Sequence, residues 1–315
     1  MERRRAFVIF NPASGRGDGA RRLSTYLELL ERHLPEVRCA ETLGPGDECR
    51  LADEALSSDV DLVVAVGGDG TWGNVADRVV RSGRDDVALG LLAAGTGNDF
   101  GRNFALERRS PEEAVRILAE GTVRRVDVGR VLTPAHPHGR DAEGPVIGRH
   151  FLNLIGFGFD VAVIEATWGA RFLRGELLYK VTSLQQLFGY RGVHLRLAPT
   201  DEPVVEGDHL MLTISNGPFF GGSFPIAPAA DIADGLLDAV AIADASPLTR
   251  MKLFGAAAKG QHVLSPHVHT RRSHEFRVRF AEPPRFELDG DVWVAHTNEV
   301  VIEAVQGALP VVCPH

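Results

Sequence analysis

Short apolar runs alternate with amphipathic stretches over roughly the first 130 residues, and this alternation limits the fold more than any other feature of the chain. The runs Ala6–Phe10, Leu62–Val66 and Val87–Leu92 have the length and composition of buried strands, and a glycine-bearing loop follows each of them. Strands that alternate with helical patterns at this spacing predict an open parallel sheet. Because the carboxyl ends of parallel strands meet at one edge of a sheet, the three loops are expected to lie side by side.

The three glycine-bearing loops contain residue types that bind phosphate groups. They are Asn11–Gly17, Gly67–Thr71 and Gly95–Asp99. Glycine lets the backbone approach a phosphate closely and adopt positive φ, and the amides at a following helix start face the anion. The residues predicted to bind a nucleotide in these loops are Asn11, Ser14, Gly15, Arg16, Gly67, Gly68, Asp69, Gly70, Thr71, Gly95, Thr96 and Asn98.

Charged residues in the loops have more specific expected roles. Arg16 is placed to contact a terminal phosphate. Asp69 does not bind phosphate directly, but its carboxylate could hold Mg²⁺ or the ribose, or order the loop through backbone hydrogen bonds. Each loop alone also fits a plain turn, and Thr96 or Asn98 alone fits a helix cap. Three such loops at one sheet edge favour nucleotide binding.

Composition and missing patterns argue against several classes of protein. A net charge of −8 argues against nucleic acid as a partner. No Gly-x-x-x-x-Gly-Lys-Ser/Thr pattern occurs, and no Gly-x-Gly-x-x-Gly opens the first strand–helix unit. No run approaches the ~18 consecutive apolar residues of a membrane span, and Met1–Phe10 lacks the long apolar stretch of a signal peptide. A cytoplasmic protein that reaches any membrane substrate from the aqueous side is therefore expected.

The second half of the chain reads as a different kind of domain. Pro134–Pro145 is rich in proline, histidine and glycine, which is typical of an exposed loop. Short β-type runs dominate beyond it and predict a mainly antiparallel, β-sandwich-like domain. These runs are Phe151–Ile155, Val193–Leu197, Leu210–Ser215, Leu236–Ile242, Glu275–Phe280 and Val300–Val305, and the helical patterns between them are Asp160–Trp168, Gly175–Phe188 and Pro247–Lys259.

The change in character also predicts the domain boundaries. The first domain is predicted to be a nucleotide-binding α/β domain of residues 1–130, and the second a β-rich domain of residues 131–303. Residues 304–315 form a tail that could return to the first domain. The active site is expected in the cleft between the two domains.

Taken together, the motifs resemble the diacylglycerol kinase catalytic domain, and specifically the bacterial soluble lipid kinases. In the first half the resemblance rests on Asn11–Gly17, Gly67–Thr71 and Gly95–Phe100 with Arg102. In the second half it rests on Gly156–Asp160, Asn216-Gly217, Gly221-Gly222, Ile226–Pro228, Ala233–Asp238 and Leu288–Asp291. These segments span most of the chain in the right order, so the match is specific as a set.

The resemblance implies a two-domain, NAD kinase-like fold and an ATP- and Mg²⁺-dependent kinase that phosphorylates the hydroxyl group of diacylglycerol or a related lipid alcohol. It implies that Asp289 is the general base, and a carboxylate within hydrogen-bond reach is what a lipid hydroxyl needs to lose its proton. It also implies that Asp291 contacts the nucleotide, that Arg102 positions substrate or phosphate, and that the Asp234 region binds Mg²⁺. It further implies that the β-rich domain of residues 131–303 is the lipid-substrate domain. Asp289 and Asp234 each also fit the turn of an Asp-Gly hairpin.

One departure from the family pattern bears on the expected activity. The family writes Gly-Gly-Asp-Gly-Thr-x-Asn-Glu-Val, whereas this chain has Asn74 in place of the glutamate. Loss of a carboxylate that faces the cleft leaves open a nucleotide- or lipid-binding protein without turnover. An NAD kinase-like enzyme is a second alternative, since NAD kinase shares the Gly-Gly-Asp-Gly loop and the two-domain plan. The Asn-Pro-x-Ser-Gly start and the late Asp289-Gly290-Asp291 motif favour the lipid branch.

Two aromatic segments are candidates for contact with lipid. Trp168–Arg174 combines aromatic residues with two arginines, and it forms either a membrane-touching edge or core packing with arginines that reach solvent. Phe219 and Phe220 either line a lipid pocket or fill the core. A homodimer is left open.

Overall fold

The structure, a computed structural model, describes residues 4–95, 97–139, 144–168 and 187–315, without the side chains of residues 16–21, 167 and 168. Several sequence predictions therefore fall outside the described residues: Thr96, the side chain of Arg16, the side chains of Trp168–Arg174, and the helix Gly175–Phe188 apart from its last two residues.

Four parallel strands form the first part of the sheet, in the spatial order β2-β1-β3-β4. They are β1 Arg5–Phe10, β2 Glu36–Glu41, β3 Leu62–Gly67 and β4 Ala88–Ala93. β1, β3 and β4 are buried along most of their length, as expected of parallel strands covered on both faces, whereas the edge strand β2 is mostly exposed. Two helices pack on each face: α1 Asp18–His33 with α4 Pro111–Glu120, and α2 Asp47–Leu56 with α3 Asp69–Ser82.

Local sequence explains where two of these helices begin and end. Ser110 caps α4, because its hydroxyl accepts a hydrogen bond from the amide of Glu113, whose side chain accepts one from the amide of Ser110. α3 ends at Gly83, which has a left-handed φ of 64°. The first turn of α3 is held against the sheet by Trp72, which is buried and donates from Nε1 to the carbonyl oxygen of Ala65 at 3.1 Å.

Antiparallel strands form the second part of the structure, and the predicted fold class is confirmed. The strands are β5 Thr122–Val131, β6 Ala135–Pro137, β7 Arg149–Phe151, β8 Leu154–Gly158, β9 Val193–Pro199, β10 Val205–Ser215, β11 Phe219–Phe220, β12 Phe224–Pro225, β13 Leu237–Ala243, β14 Val268–Ser273, β15 Glu275–Phe280, β16 Arg285–Leu288, β17 Asp291–Ala295 and β18 Glu299–Cys313. Helices α5 Phe159–Trp168 and α6 Pro247–Ala257 lie between them in the chain. The inner faces of these strands bury a core of aliphatic and aromatic side chains.

Strand β18, with 15 residues, joins the two parts of the structure. Its first residues pair with β15, much of its length pairs with β5, and Val311 pairs in parallel with Leu89 of β4. Residues 304–313 are therefore a strand within the sheet. Because β18 links parallel and antiparallel strands into one sheet, the boundaries 1–130 and 131–303 stay a prediction.

The predicted strand Phe151–Ile155 is interrupted in the structure. β7 ends at Phe151 and β8 begins at Leu154. The backbone amides of the two residues between them bind the carboxylate of Asp289. The interruption thus turns potential sheet donors toward a side chain of the candidate site.

Asp127 in β5 is a buried carboxylate that holds separate segments together. It accepts hydrogen bonds of 2.6 Å from the amides of Gly235 and Gly307. Because Asp127→Ala leaves both amides without this partner, we expect the free energy of unfolding, measured with urea, to fall by about 3 kcal/mol. The control Asp85→Ala removes a carboxylate that is 83% exposed and should cost less than about 1 kcal/mol. Equal losses in both variants would contradict this role of Asp127.

Candidate active site

A polar cleft of about 420 Å³ lies at the carboxyl ends of the first parallel strands. Eight of the residues predicted to bind a nucleotide line it: Asn11, Ser14, Gly15, Gly68, Gly70, Thr71, Gly95 and Asp291. Gly67, Asp69 and Asn98 belong to the same loops but are not part of this lining. The structure therefore brings the three glycine loops together, and the nucleotide itself stays a prediction.

Two of the glycine loops touch each other at Gly68 and Gly95. A Cβ atom on Gly95 would lie 2.4 Å from the Cα atom of Gly68, and a Cβ atom on Gly68 would lie 3.1 Å from the Cα atom of Gly95. Any larger residue at position 95 would therefore push the two backbones apart. The contact sets the separation of the loops after β3 and β4 in the wall of the cleft.

Two asparagines order the loops through hydrogen bonds. Asn98 has a φ of 53°, donates from Nδ2 to the carbonyl oxygen of Gly95 at 2.8 Å, and accepts at Oδ1 from the Gly95 amide at 3.1 Å. Asn11 donates from Nδ2 to Glu48 at 3.1 Å and to the hydroxyl of Thr71 at 3.3 Å. Both side chains therefore shape the loops of the cleft.

Two carboxylates, Asp69 and Asp99, lie together beside the third loop. Asp69 accepts a hydrogen bond from the amide of Phe100 at 3.1 Å, and burial together with the charge of Asp99 raises the pKa of Asp69 to about 7. Burial also raises the pKa of Asp99, which accepts from Arg102 Nε at 3.2 Å. Arg102 donates in turn to the carbonyl oxygen of Gly222 at 2.9 Å. Arg102 thus connects this loop to the second half of the chain, and the carboxylate pair favours a nearby cation.

The carboxylate of Asp289 is buried and held by three backbone amides. Oδ2 accepts from Leu152 at 2.6 Å, and Oδ1 accepts from Asn153 at 2.8 Å and Leu154 at 3.2 Å. Burial raises the pKa of Asp289 to about 6, although the three amide bonds act in the opposite direction. A carboxylate has about four acceptor positions, and the three amides occupy three of them.

The hairpin of β16 and β17 carries acidic side chains at residues 287, 289 and 291. Asp289 has a φ of 48° and, with Gly290, makes the turn of this hairpin. The turn that the sequence predicted and the position of the candidate base therefore coincide. Asp291 lines the polar cleft, and a Cβ atom on Gly73 of α3 would lie 2.9 Å from Asp289 Oδ2.

Glu287 on the same hairpin forms a buried pair of carboxyl groups with Asp160. A Cβ atom on Gly156 would meet Asp160 Oδ2 at 1.6 Å and Glu287 Oε2 at 3.0 Å, so the two carboxyl oxygens lie close to the same point. Neither oxygen has a hydrogen-bond partner among the described residues, whereas Glu287 Oε1 accepts from the Gly290 amide at 2.6 Å. Burial raises the pKa of Asp160 to about 7, and burial with the charge of Asp160 raises the pKa of Glu287 well above its usual value. The pair therefore retains a proton near neutral pH.

This acid pair makes the stability of the fold depend on pH. Both carboxyl groups have raised pKa values in the folded state, whereas their pKa values in the unfolded chain are near 4. The pair therefore lowers the free energy of unfolding as pH rises above about 4. In Glu287→Gln, the amide nitrogen donates to Asp160 and the amide oxygen keeps the bond from Gly290. We expect the free energy of unfolding of this variant, measured with urea, to exceed that of the wild type by about 1 to 3 kcal/mol at pH 8. The difference should be smaller at pH 5.

The control for this prediction is Glu282→Gln, which changes an exposed carboxylate. It should leave the free energy of unfolding unchanged at both pH 8 and pH 5. A Glu287→Gln variant that is less stable than the wild type at pH 8 would show that the two carboxyl groups do not share a proton.

A narrow apolar cavity of about 60 Å³ lies beside the acid pair, with Asp160 in its wall. The rest of the wall is mostly aliphatic and aromatic, and includes Phe220, Leu253 and Phe254. The neighbouring Phe219 is instead placed under the guanidinium of Arg102, whose Cζ lies 5.9 Å from the ring centroid. The loop of Phe219 and Phe220 therefore runs from the side of the glycine loops to the apolar cavity.

Asp234, predicted as a Mg²⁺ ligand, lines neither cavity. Its carboxylate accepts a hydrogen bond from the amide of Leu236 at 3.0 Å and forms an ion pair with Arg272, which also approaches Asp238 at 3.5 Å. In the described part of the chain no three acidic, histidine or cysteine side chains form a metal-binding group. With a guanidinium already beside Asp234, this geometry does not suit a metal ion there.

Asn74, the departure from the family pattern, lines the polar cleft and pairs with an arginine. Arg149 donates to Asn74 Oδ1 at 2.6 Å and to Asp77 at 3.0 Å. Burial alone would raise the pKa of Asp77, but the hydrogen bond to His150 and the charge of Arg149 hold it well below its usual range. Arg81 Nε also lies 3.0 Å from Asp77, so this one carboxylate serves two guanidiniums. A neutral amide at position 74 therefore leaves net positive charge beside Arg149.

Three residues of the site were not singled out by the sequence analysis. Asp99 and Asp160 each stand at the end of a glycine-rich motif that carries the resemblance, which is a usable signal. Glu287 has no such signal, because its position two residues before Asp289 becomes meaningful only when the hairpin meets β8.

The fold and the site together indicate a class of enzyme. Glycine loops at the ends of parallel strands, an acidic hairpin and an adjoining apolar cavity are the parts of a phosphotransferase for a partly apolar acceptor. Comparison with known proteins gives the family. Residues 5–131 match the family model of the diacylglycerol kinase catalytic domain, and residues 153–313 match that of the YegS C-terminal NAD kinase beta sandwich-like domain.

Curated relatives align with nearly the whole chain. The diacylglycerol kinase of Mycobacterium tuberculosis is 30% identical over 309 residues, which are 98% of this chain and 94% of that protein. The diacylglycerol kinase of Bacillus subtilis is 25% identical and covers 91% and 90% of the two chains. A protein of Stenotrophomonas maltophilia named "Probable lipid kinase YegS-like" is 31% identical and covers 89% and 88%.

A crystal structure of a diacylglycerol kinase from Bacillus anthracis has the same fold. It superposes with a TM-score of 0.70 at 19% identity, over 99% of this chain and 98% of that one. The chain belongs to the diacylglycerol kinase family, and it is a lipid kinase. None of the helices in the described residues is both long and apolar enough to cross a bilayer.

Proposed function

We propose that this lipid kinase transfers the γ-phosphate of ATP, with Mg²⁺, to the hydroxyl group of diacylglycerol or a related lipid alcohol. It would act from the cytoplasm, in peripheral contact with the membrane that holds its substrate. Two of the relatives named above are diacylglycerol kinases and one is a YegS-like lipid kinase. A glycerolipid acceptor is therefore the first candidate.

The observation that carries this proposal is that one hairpin lines the polar cleft and also meets a wall residue of the apolar cavity. Asp291 lines the polar cleft, and Glu287 meets Asp160 in the wall of the apolar cavity. Asp289 lies between these two positions in the chain, at the turn. A nucleotide in the cleft and an acyl chain in the cavity would therefore present their reacting groups on either side of Asp289.

The chemistry assigned to Asp289 is that of a general base. The lipid hydroxyl oxygen forms a bond to the γ-phosphorus, the bond from that phosphorus to the β–γ bridging oxygen breaks, and ADP leaves with the electron pair. The hydroxyl proton passes to Asp289 Oδ2, the carboxylate oxygen that accepts one amide hydrogen bond where Oδ1 accepts two. With a pKa of about 6, the carboxylate is mostly ionised at neutral pH and still basic enough to accept the proton.

Asp69 is the carboxylate that fits Mg²⁺, because Arg102 and the Gly222 amide already bind the two oxygens of its neighbour Asp99. Mg²⁺ usually takes one or two carboxylates together with the phosphates of its nucleotide, and the raised pKa values of Asp69 and Asp99 mark a place where positive charge is favourable. When bound, Mg²⁺ would neutralise charge on the phosphates during transfer. Arg102, which bonds Asp99 and the Gly222 carbonyl, would hold the loops of both halves around that charge.

The test is transfer of labelled γ-phosphate from ATP to a panel of acceptors in mixed micelles. The panel holds a diacylglycerol, a monoacylglycerol, a sphingoid base and a phospholipid with a free hydroxyl group, all of one chain length, and NAD in a separate reaction. The proposal predicts the highest kcat/KM for a glycerolipid. Label on NAD alone would show that the protein is an NAD kinase-like enzyme. ATP binding without transfer to any acceptor would contradict the proposed activity.

A further inference from the structure

Helix α6 is apolar on both of its faces. Leu253 and Ala257 are buried and line the apolar cavity. Leu248, Met251 and Phe254, spaced three residues apart, point to the solvent side, with Leu248 72% and Met251 45% exposed. A helix that only covers a core is polar on its outer face, so the outer face of α6 needs another explanation.

The exposed side chains of α6 belong to a larger apolar surface. Five of the nine large apolar side chains that are exposed in the described residues lie on α6 or on segments next to it, and they define the α6 patch: Phe188, Leu248, Met251, Phe254 and Leu264. Leu264 lies in a short 3-10 helix that packs on α6. Phe188 follows Leu187, whose carbonyl oxygen accepts from Arg250 of α6 at 2.9 Å. Exposed apolar side chains concentrated on neighbouring segments in this way mark an interaction site.

The charge of this region is opposite to that of the whole chain. Residues 245–274 contain no aspartate or glutamate, although the chain has 42 acidic residues and a net charge of −8. Lys252 and Lys259, two of the three lysines in the sequence, are exposed at α6. No ion pair with either lysine occurs in the described part of the chain. Among the described residues, the patch therefore combines apolar side chains with two lysines that have no acidic partner.

The patch is continuous with the apolar cavity. Phe254 is 37% exposed and also lines the cavity. It packs on Phe224, another wall residue, with ring centroids 5.2 Å apart. An acyl chain that passes Phe254 would leave the apolar patch and enter the cavity without crossing a polar surface.

We propose that the α6 patch docks the enzyme on an anionic lipid bilayer, with the mouth of the apolar cavity held against the membrane. The docking role rests on the proposed function in one respect, since it assumes that the substrate is drawn from that bilayer. Apolar side chains enter the acyl boundary while lysines contact anionic head groups, as in interfacial helices. A second copy of the chain fits less well, because a two-fold interface built on this patch would bring two positively charged surfaces together, each with Lys252 and Lys259.

The test compares vesicle binding of two double variants with matched controls. Lys252→Glu/Lys259→Glu reverses the charge, and Leu248→Gln/Met251→Gln removes apolar surface without touching the cavity wall. The controls are Arg32→Glu, whose side chain is 70% exposed on α1, and Ile147→Gln, 61% exposed outside the α6 patch. Binding is measured by sedimentation with vesicles of phosphatidylcholine, with or without phosphatidylglycerol.

We expect phosphatidylglycerol to strengthen wild-type binding about tenfold or more, and the lysine variant to lose this gain. The glutamine variant should bind about tenfold more weakly to both kinds of vesicle, and the controls should bind like the wild type. Unchanged binding of both double variants would overturn the proposal. So would a wild-type dimer in sedimentation velocity that Leu248→Gln/Met251→Gln dissociates.

Activity on a dissolved short-chain diacylglycerol separates this proposal from the proposed function. All four variants should phosphorylate this substrate with wild-type kcat/KM, because none alters the cleft or the cavity wall. If the wild type transfers no phosphate but the vesicle results hold, the proposed reaction fails and the docking surface stands. If transfer is normal and the vesicle results fail, the docking surface alone is rejected.

Discussion

Asp289→Asn is expected to lower kcat for phosphate transfer about 10³-fold, because an amide oxygen or nitrogen takes up the hydroxyl proton far less well than a carboxylate does. The carboxamide also presents an NH₂ group to backbone amides that now donate to both carboxylate oxygens at 2.6 to 3.2 Å. ATP affinity should stay close to the wild-type value, since Asp289 does not line the polar cleft. The measurement is steady-state transfer to dioctanoylglycerol together with calorimetric titration of ATP.

The pH dependence separates a base from a merely structural carboxylate. Asp289 must be ionised to accept a proton, so kcat of the wild type at saturating substrates should fall as pH decreases through about 6. Any residual activity of Asp289→Asn should not show this decrease in kcat at low pH. Asp201→Asn, which changes an exposed carboxylate, is the control and should keep the wild-type rate and profile. A variant at position 289 with the full rate would reject Asp289 as the base.

Gly95→Ala is expected to weaken ATP binding about 100-fold. The new Cβ atom would meet the Cα atom of Gly68 at 2.4 Å and the Asn98 side chain at 2.8 Å, so the backbones of two loops must separate. A shift of this kind by about 1 Å misplaces every group that the loops present to a ligand. The dissociation constant of a fluorescent ATP analogue, measured without lipid, checks the prediction.

The matched control for Gly95→Ala is Gly255→Ala. A Cβ atom on Gly255 has no neighbouring heavy atom within 4 Å, and alanine favours the helix in which it stands. This control should bind the ATP analogue like the wild type. If Gly95→Ala also binds like the wild type and remains folded, the contact between the two loops does not shape a nucleotide site.

The first half of the fold could be predicted because its elements follow from local periodicity. The strands that precede the three glycine loops differ from their predicted bounds by a residue or so. The meeting of the loops then follows from topology, since parallel strands end at one edge of the sheet. The contact between Gly68 and Gly95 is a consequence of that arrangement.

The partners of buried polar groups could not be predicted, because they depend on strand register. The pairing of β13 with β14 places Arg272 opposite Asp238, and this brings its guanidinium to Asp234. The pairing of β8 with β16 places Glu287 opposite Gly156, where it meets Asp160. Neither encounter leaves a local pattern in the sequence. A Mg²⁺ role for Asp234 therefore stays a prediction that the geometry does not favour.

The departure at Asn74 illustrates how structure changes the reading of a motif. From the sequence, loss of the acidic residue raised the alternative of a protein without turnover. In the structure, Asn74 accepts from Arg149, which shares the carboxylate of Asp77 with Arg81. The carboxylates that the proposed chemistry uses, Asp69 and Asp289, lie elsewhere and are retained.

The measurement that tests the central claim most directly is a single turnover of phosphate transfer. Enzyme in excess is mixed with labelled ATP and dioctanoylglycerol, and the label in the lipid phase is followed through time in the wild type and in Asp289→Asn. We expect the label to move from ATP to the lipid in one exponential phase in the wild type and to stay on ATP in the variant. Label that remains on wild-type-bound ATP, or appears only as inorganic phosphate, would contradict the claim that the cleft and the apolar cavity serve one reaction.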